Sequence, residues 1–398
     1  MNAKYSRYLG LDIHRNYIMV GGVDADQRVV MVPRRIQLCR FDEWAAKELR
    51  PTDAVVLEAT TNVWPCYDMV KPWAGEVVVA HVAQMKLIAS AVVKTDKRDT
   101  LILAKLLAAN LIPPVWVPPQ PVRELRSLLN HRRHLVKQKT MAKNRLQGIL
   151  FRHNLFPPDG GLFGQEQRTW WEQLPLNQVE RFRARQDLET LDALTGQCQQ
   201  LDQVLAQLSV QEPWREQMPF VLQMSGIGMV SALTILSAIG DIRRFDDPKK
   251  LVGYAGLGAR VHASGQTHLG GAITKQGRRE LRTILVEAAW VAVNHNLYWG
   301  EQYARLARHK GAQKAITIIA RKMLVTLWHL LTKRQVDRHT PPTVIARAFL
   351  KWASDYRLAT SLGMTRVAFV TQSLATLGLP TTLAPAVVAA KDRRPVRQ

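Results

Sequence analysis

Acidic residues are scarce in this 398-residue chain: 32 Asp and Glu stand against 55 Lys and Arg, a formal charge of +23. A compact state with that imbalance repels itself unless a polyanion is at hand, and nucleic acid is the commonest such partner. A ribosome-associated or merely basic protein is the plainer reading of charge alone. Cysteine is scarce too. Cys39, Cys66 and Cys198 lie far apart and make no C-x-x-C pair, so neither a disulfide framework nor a zinc site is indicated, and a reduced cytoplasm fits. Long apolar runs are missing, and the start M-N-A-K-Y-S-R-Y-L-G has no apolar signal core, so a soluble, non-exported protein with no membrane partner is expected. Apolar residues as a class are plentiful at 47%, enough for packed interiors, and the length suits two or three domains.

Residues 5–32 alternate as strands, the first ending near Asp12 and the next two joined by a turn at Asp24 to Gln27. F-D-E-W-A-A-K-E-L-R reads as a short helix and A-V-V-L-E-A-T as a buried strand ending at Glu58. The apolar run E-V-V-V-A-H-V reads as an interior parallel strand, and Lys86 to Ala109 as helical. Residues 1–117 therefore form an α/β domain, closed by prolines at 113, 114, 118, 119 and 121.

Residues 118–212 read as a long helical, coiled-coil region for assembly. A helix from Val122 to about Asn154 has an apolar stripe through Leu125, Leu135 and Leu146. Its other faces carry Arg126, Arg132, Arg133 and Lys137, candidates for nucleic-acid contact, and His131 and His134 add to that basic surface. A second helix over 179–209 repeats Leu191, Cys198, Leu205 and Leu194, Leu201, Leu208 every seven residues. Such a short heptad seam is marginal alone, so it should pack on the first helix or on a partner chain, with Cys198 as core. Trp170-Trp171 reads as a packing pair rather than a base-stacking platform. Residues 213–335 read as a mostly α domain. It runs helix, glycine turn and helix, then a loop rich in Gly, Ser and His from Gly253 to Gly271, then helices near 276–294 and 312–331. Residues 336–398 read as a helical extension with a basic, disordered tip.

Two constellations carry chemistry. Asp12 and Glu58 end strands, while Asp96 and Asp99 are three apart at a helix start and so share a face; Thr95 precedes them as a cap and Lys94 is placed to meet a phosphate. Four hard-oxygen ligands above a sheet suit Mg²⁺ (or Mn²⁺) and two-metal phosphodiester cleavage. Taken singly, Asp96 is equally a first-turn acid and Asp12 a turn residue; His14, two residues after Asp12, lies near the metal in one reading and is a surface or strand-end histidine in the plainer one. Glu58 is the odd one, interrupting an apolar strand. The second constellation is Y-A-G-L-G-A-R-V-H-A-S-G-Q-T-H-L-G-G-A-I-T-K-Q-G-R-R-E-L-R. There Ser264 is a candidate nucleophile, with Arg260, His262, Lys275, Arg278 and Arg282 around it for phosphate oxygens. Residues alone favour a phosphate-binding loop in which Ser264 only donates a hydrogen bond.

The pieces Y-L-G-L-D-I-H, V-L-E-A-T and K-T-D-K-R-D-T-L-I-L-A-K-L-L resemble the DEDD domain of the "IS one-ten" family of insertion-sequence transposases, which includes the Piv-type DNA invertases. G-L-G-A-R, Ser264-Gly265 and T-K-Q-G-R-R-E-L-R resemble that family's C-terminal transposase domain. M-S-G-I-G-M-V-S-A-L resembles its helix-hairpin-helix piece, with Gly226 and Gly228 offering amides to phosphate. Ser225 stands where proline is usual, and A-S-G-Q where many members read S-[S/T]-G-G. The resemblance spans roughly residues 5–335. It implies a ribonuclease-H-like, Holliday-junction-resolvase-like first domain with Asp12, Glu58, Asp96 and Asp99 as metal ligands. It also implies strand exchange through a covalent phosphoserine at Ser264. A dimer or tetramer would build composite sites, with DNA element ends and target as substrates and an element-encoded non-coding RNA as guide. A cytoplasmic, nucleoid-associated bacterial protein follows. Two other readings stay open: a junction-resolving nuclease that uses water, and a non-enzymatic nucleic-acid binder.

Overall fold

A five-stranded sheet organises the first of two units. In the computed structural model residues 4–82, 84–85, 95–158, 161–264 and 267–392 are described; one unit ends at Pro118 and the other begins at Pro119. Strands β1 (Arg7–Ile13), β2 (Tyr17–Val23), β3 (Val29–Gln37), β4 (Asp53–Glu58) and β5 (Glu76–Ala80) lie in the order β3-β2-β1-β4-β5. β1 runs antiparallel to β2 and parallel to β4.

Side chains alternate across a strand. Leu9, Leu11, Val55 and Leu57 therefore face one side, where they bury Phe41 and Trp44 of α1 (Phe41–Glu48) and Val63, Cys66 and Val70 of α2 (Val63–Val70). Tyr8, Ala54 and Val56 face the other side, against Leu103 and Ala104 of α3 (Asp96–Ala108). The same parity sends Asp12 and Glu58 to the α3 side. β5 is an edge strand rather than an interior one. It is apolar because a following segment covers its outer edge: Val115 N–H donates to the Val79 carbonyl at 2.7 Å and His81 N–H to that of Pro113 at 3.0 Å.

In the second unit α4 (Gln120–Arg152) and α6 (Gln178–Ser209) form an antiparallel pair beside the short α5 (Arg168–Gln173). Ion pairs whose numbers descend on one helix as they ascend on the other mark the direction and register: Arg132–Asp202, Arg145–Asp187, Arg152–Glu180. Leu191, Leu194, Cys198, Leu201 and Leu205 are buried, as the heptad seam requires. Trp171 is buried with its indole N–H on the Leu162 carbonyl, a packing role.

Next come α7 (Met218–Leu222), α8 (Met229–Ile239) and α9 (Pro248–Tyr254). The segment read as a loop over 253–271 instead contains a hairpin, β6 (Ala259–Ser264) with β7 (Thr267–Ile273). Then follow α10 (Arg279–His295), α11 (Leu297–Lys310) and α12 (Ala312–Lys333). α12 is long and apolar enough to cross a membrane by length and composition, which a scan for uninterrupted apolar runs misses. Here Ile316, Ile319, Met323, Leu324 and Leu327 are buried against its neighbours.

Residues beyond 335 are not a loose tail. α13 (Pro342–Ser354), α14 (Leu358–Ser361), α15 (Arg366–Thr376) and α16 (Leu383–Asp392) pack together, and the Trp352 indole donates to Ser209 Oγ at 2.9 Å. Asp337, 2% exposed, accepts from Thr340 Oγ1 and from the His339 N–H, while Gln223 receives the Asp337 N–H. The tip after Asp392 lies outside the described residues.

Candidate active site

The site on the first unit is assembled by register. Arg7 and Asp53 are cross-strand partners, tied by a two-point guanidinium–carboxylate bond at 2.8 and 2.6 Å, with Asp53 fully buried and also receiving the Arg50 N–H. Five residues further along each parallel strand (12 from 7, 58 from 53) stand Asp12 and Glu58, beside one another at the carboxyl ends. Both are half-buried.

α3 delivers the other two acids. Thr95 is its N-cap, with Oγ1 accepting from the Arg98 N–H, and Asp96 and Asp99 occupy the first turn, where the helix dipole favours negative charge. The helix approaches β1 closely because Gly10 has no side chain: a Cβ there would lie 2.1 Å from the Thr100 carbonyl oxygen.

Asp12, His14 and Asp96 each turn one ligand atom into a space where all three lie within 4.8 Å of one another. His14 Nε2 is 3.1 Å from Asp12 Oδ2 and 3.4 Å from Asp96 Oδ2. Burial pushes the Asp12 carboxyl above its ordinary range; His14 opposes this, and the charges of Asp96 and Asp99 add to it. Carboxylates crowded and desolvated in this way fit a divalent cation, which removes the repulsion. Among the described residues Glu58 and Asp99 are not part of this convergent group; Glu58 stands next to Asp12 by strand register, and Asp99 acts on Asp12 through its charge.

The sequence does not single out Tyr17, and it offers His14 a place near the metal only as the alternative to a surface or strand-end histidine. A two-residue turn at Arg15-Asn16 closes β1 onto β2 through the His14 N–H and the Tyr17 carbonyl, at 2.9 Å. It stacks the two rings at 4.4 Å. The Tyr17 hydroxyl donates to Asp96 Oδ2 at 2.9 Å, and the Arg35 guanidinium covers the other side of the tyrosine at 4.6 Å. An open groove lined by Met19, Pro33, Arg35, Thr95, Asp96 and Lys97 runs beside this stack. Lys94 lies outside the described residues.

On the second unit Ser264 closes β6 and pairs with Thr267 across the hairpin, which carries His262 on the same strand. Arg260 and Lys275 are exposed near its foot, and Lys275 takes a left-handed φ of 55°. Other basic candidates have internal work. Arg126 donates to the Ser237 and Ala238 carbonyls, Arg132 pairs with Asp202, Arg133 with Glu280, and Arg282 donates to the Ala255 carbonyl. Lys137 is exposed on α4. Gly226, at φ +87°, backs onto α10, where a Cβ would meet the Ala288 carbonyl oxygen at 2.3 Å, whereas Gly228 faces open space.

Comparison with known proteins gives two family matches. A DEDD transposase domain of IS110 type matches residues 9–155, and the "Transposase IS116/IS110/IS902 family" domain matches residues 218–305. A Sinorhizobium fredii protein named as a transposase is 26% identical over 264 residues, 66% of this chain and 64% of its own length. The transposase for insertion sequence element IS1111A of Coxiella burnetii is 23% identical over 83% of this chain and 91% of its own. The pilin gene-inverting protein of Moraxella bovis is 28% identical over 61% and 67%.

Proposed function

This chain belongs to the IS110/IS116 family of transposases, and from that premise we propose that it cuts and rejoins DNA through a covalent bond to Ser264, beside divalent metal held by Asp12, Glu58, Asp96 and Asp99. The observation that carries the reading is the convergence of Asp12, His14 and Asp96 within 4.8 Å, with Asp12 held above its ordinary range by burial and by like charge. Mg²⁺ (or Mn²⁺) bound there supplies charge neutralisation on a phosphate and on the departing oxygen. His14 and Tyr17 hold the Asp12 and Asp96 carboxylates in place. The Ser264 oxygen bonds to phosphorus as one backbone P–O bond breaks; the serine proton passes to solvent and the departing DNA oxygen takes up a proton. Rejoining is the reverse, and because the phosphodiester is conserved it needs no nucleotide cofactor.

The same reading places the serine of one subunit against a phosphate at a partner's acids. Exposed Phe151, Val179 and Phe182, gathered where α4 ends and α6 begins, support an assembly surface. The charge of +23 supports a large nucleic-acid load, DNA together with an element-encoded RNA that reads sequence while the protein reads backbone. Residues 218–239, read as a helix-hairpin-helix, and the exposed Arg260, Lys275 and Lys137 with His262 belong to that backbone contact.

A plasmid recombination assay carrying the DNA that flanks the gene tests the proposal. Ser264→Ala and Asp12→Ala should each abolish exchange in Mg²⁺. Cutting retained by Ser264→Ala and lost in Asp12→Ala indicates water as nucleophile and overturns the serine step. Activity retained by both overturns the enzyme.

A further inference from the structure

Around the C-terminal end of α8 three arginines from three separate elements meet one tyrosine. Arg126 of α4 donates to the Ser237 carbonyl at 2.8 Å and to that of Ala238 at 3.1 Å. Arg244 donates to the Ile239 carbonyl at 2.9 Å, and its guanidinium lies 4.4 Å from the Tyr254 ring. The Tyr254 hydroxyl, at the end of α9, donates to the Ala238 carbonyl at 3.2 Å and receives Arg278 Nε at 3.0 Å. Unsatisfied carbonyls at a helix end carry partial negative charge, and cations are favoured there. Capping therefore accounts for Arg126 and Arg244.

It does not account for Arg278, whose side chain reaches no carbonyl. Only its Nε is tethered. Among the described residues its two terminal amino groups carry no hydrogen bond and no ion pair. Glu280, which feels its charge, is bonded to Arg133 at 3.0 Å. The backbone around Arg278 is fixed as well. Its N–H donates to the Tyr254 carbonyl at 2.9 Å, closing the foot of the hairpin that ends in Ser264, and the Thr274 N–H donates to Gly258 just above. The like charges are close enough to act on one another. Burial, with the charge of Arg278, pushes Arg126 down to about 10, and although burial works to raise the Tyr254 phenol, Arg278 and Arg244 hold it below its ordinary value. A planar fork with its outer edge free, held at one corner and backed by two further cations, is shaped for the two oxygens of a phosphate.

We propose that Arg278, steered by the Tyr254 hydroxyl and backed by Arg244 and Arg126, binds a phosphodiester of the DNA backbone at the foot of the Ser264 hairpin. Tyr254 is a positioning residue in this site. The inference rests on the DNA-handling reading above and adds to it a defined contact.

The test measures the affinity of the full chain for a labelled DNA duplex of fixed sequence across a salt series. Arg278→Gln should bind several-fold more weakly, with the slope of log affinity against log salt smaller by about 0.9. Arg278→Lys should keep the slope and lose affinity. Tyr254→Phe, which keeps the ring beneath Arg244, should also keep the slope and lose affinity, and the Tyr254→Phe, Arg278→Gln double variant should be no weaker than Arg278→Gln. An unchanged slope for Arg278→Gln, or losses that multiply in the double variant, overturns the site; so does a slope change seen only with RNA of the same sequence. Strand exchange by Ser264→Ala would sink the catalytic reading and leave these slopes untouched.

Discussion

Arg7 and Asp53 govern the acid site from a distance of five residues, because their bond sets which residues of β1 and β4 stand side by side. Asp53 is fully buried and its charge is met by one guanidinium and one N–H. Removing the guanidinium leaves a carboxylate with no counter-charge in an apolar sheet, a change that costs about 3–5 kcal/mol. Arg7→Met should therefore lower the free energy of unfolding, read from denaturant titration, by that amount, and a loss below about 1 kcal/mol contradicts a register set by this bond. At this scale the strand-end places of Asp12 and Glu58 were legible, since Asp12 closes an alternating run and Glu58 interrupts a continuous apolar one. Tyr17 was not legible, and His14 was so only as one of two readings. Tyr17 finds its partner Asp96 79 residues along the chain, and locally only the short R-N turn hinted that its ring would come back over His14.

The element that matters most is α3, which reaches the sheet only because Gly10 lies beneath it. A methyl at Gly10 collides with helix backbone, which cannot yield as a flexible side chain does. Gly10→Ala should cost about 1–3 kcal/mol and reduce strand exchange by displacing Asp96 and Asp99 together. Gly196→Ala, on α6 where a Cβ meets nothing within 4 Å, is the matched control and should stabilise by up to about 1 kcal/mol. Equal effects of the two on unfolding contradict the close approach. The long helices and their seam were legible because repeated leucines over many turns leave little choice of period. The β6–β7 hairpin was not, because H-A-S-G-Q-T-H-L-G-G has the composition of a turn and its pairing depends on the strand opposite. β5 misled for a related reason: an edge strand covered by irregular chain needs the same apolar residues as an interior one.

For the whole molecule, the excess of 23 positive charges is only partly available to a ligand. Arg7, Arg132, Arg145 and Arg152 pair with acids, and Arg126 and Arg282 hold carbonyls. Composition could signal nucleic acid; it could not say which arginines hold the fold. The family matches cover the segments bearing the acids and Ser264, and the proposed reaction uses both. Its most direct test is a denaturing gel of the full chain incubated in Mg²⁺ with end-labelled DNA from the flanks of the gene. A protein–DNA adduct that resists denaturant should form, should map to the peptide containing Ser264, and should be missing from both Ser264→Ala and Asp12→Ala. An adduct of undiminished yield from Ser264→Ala would contradict the account.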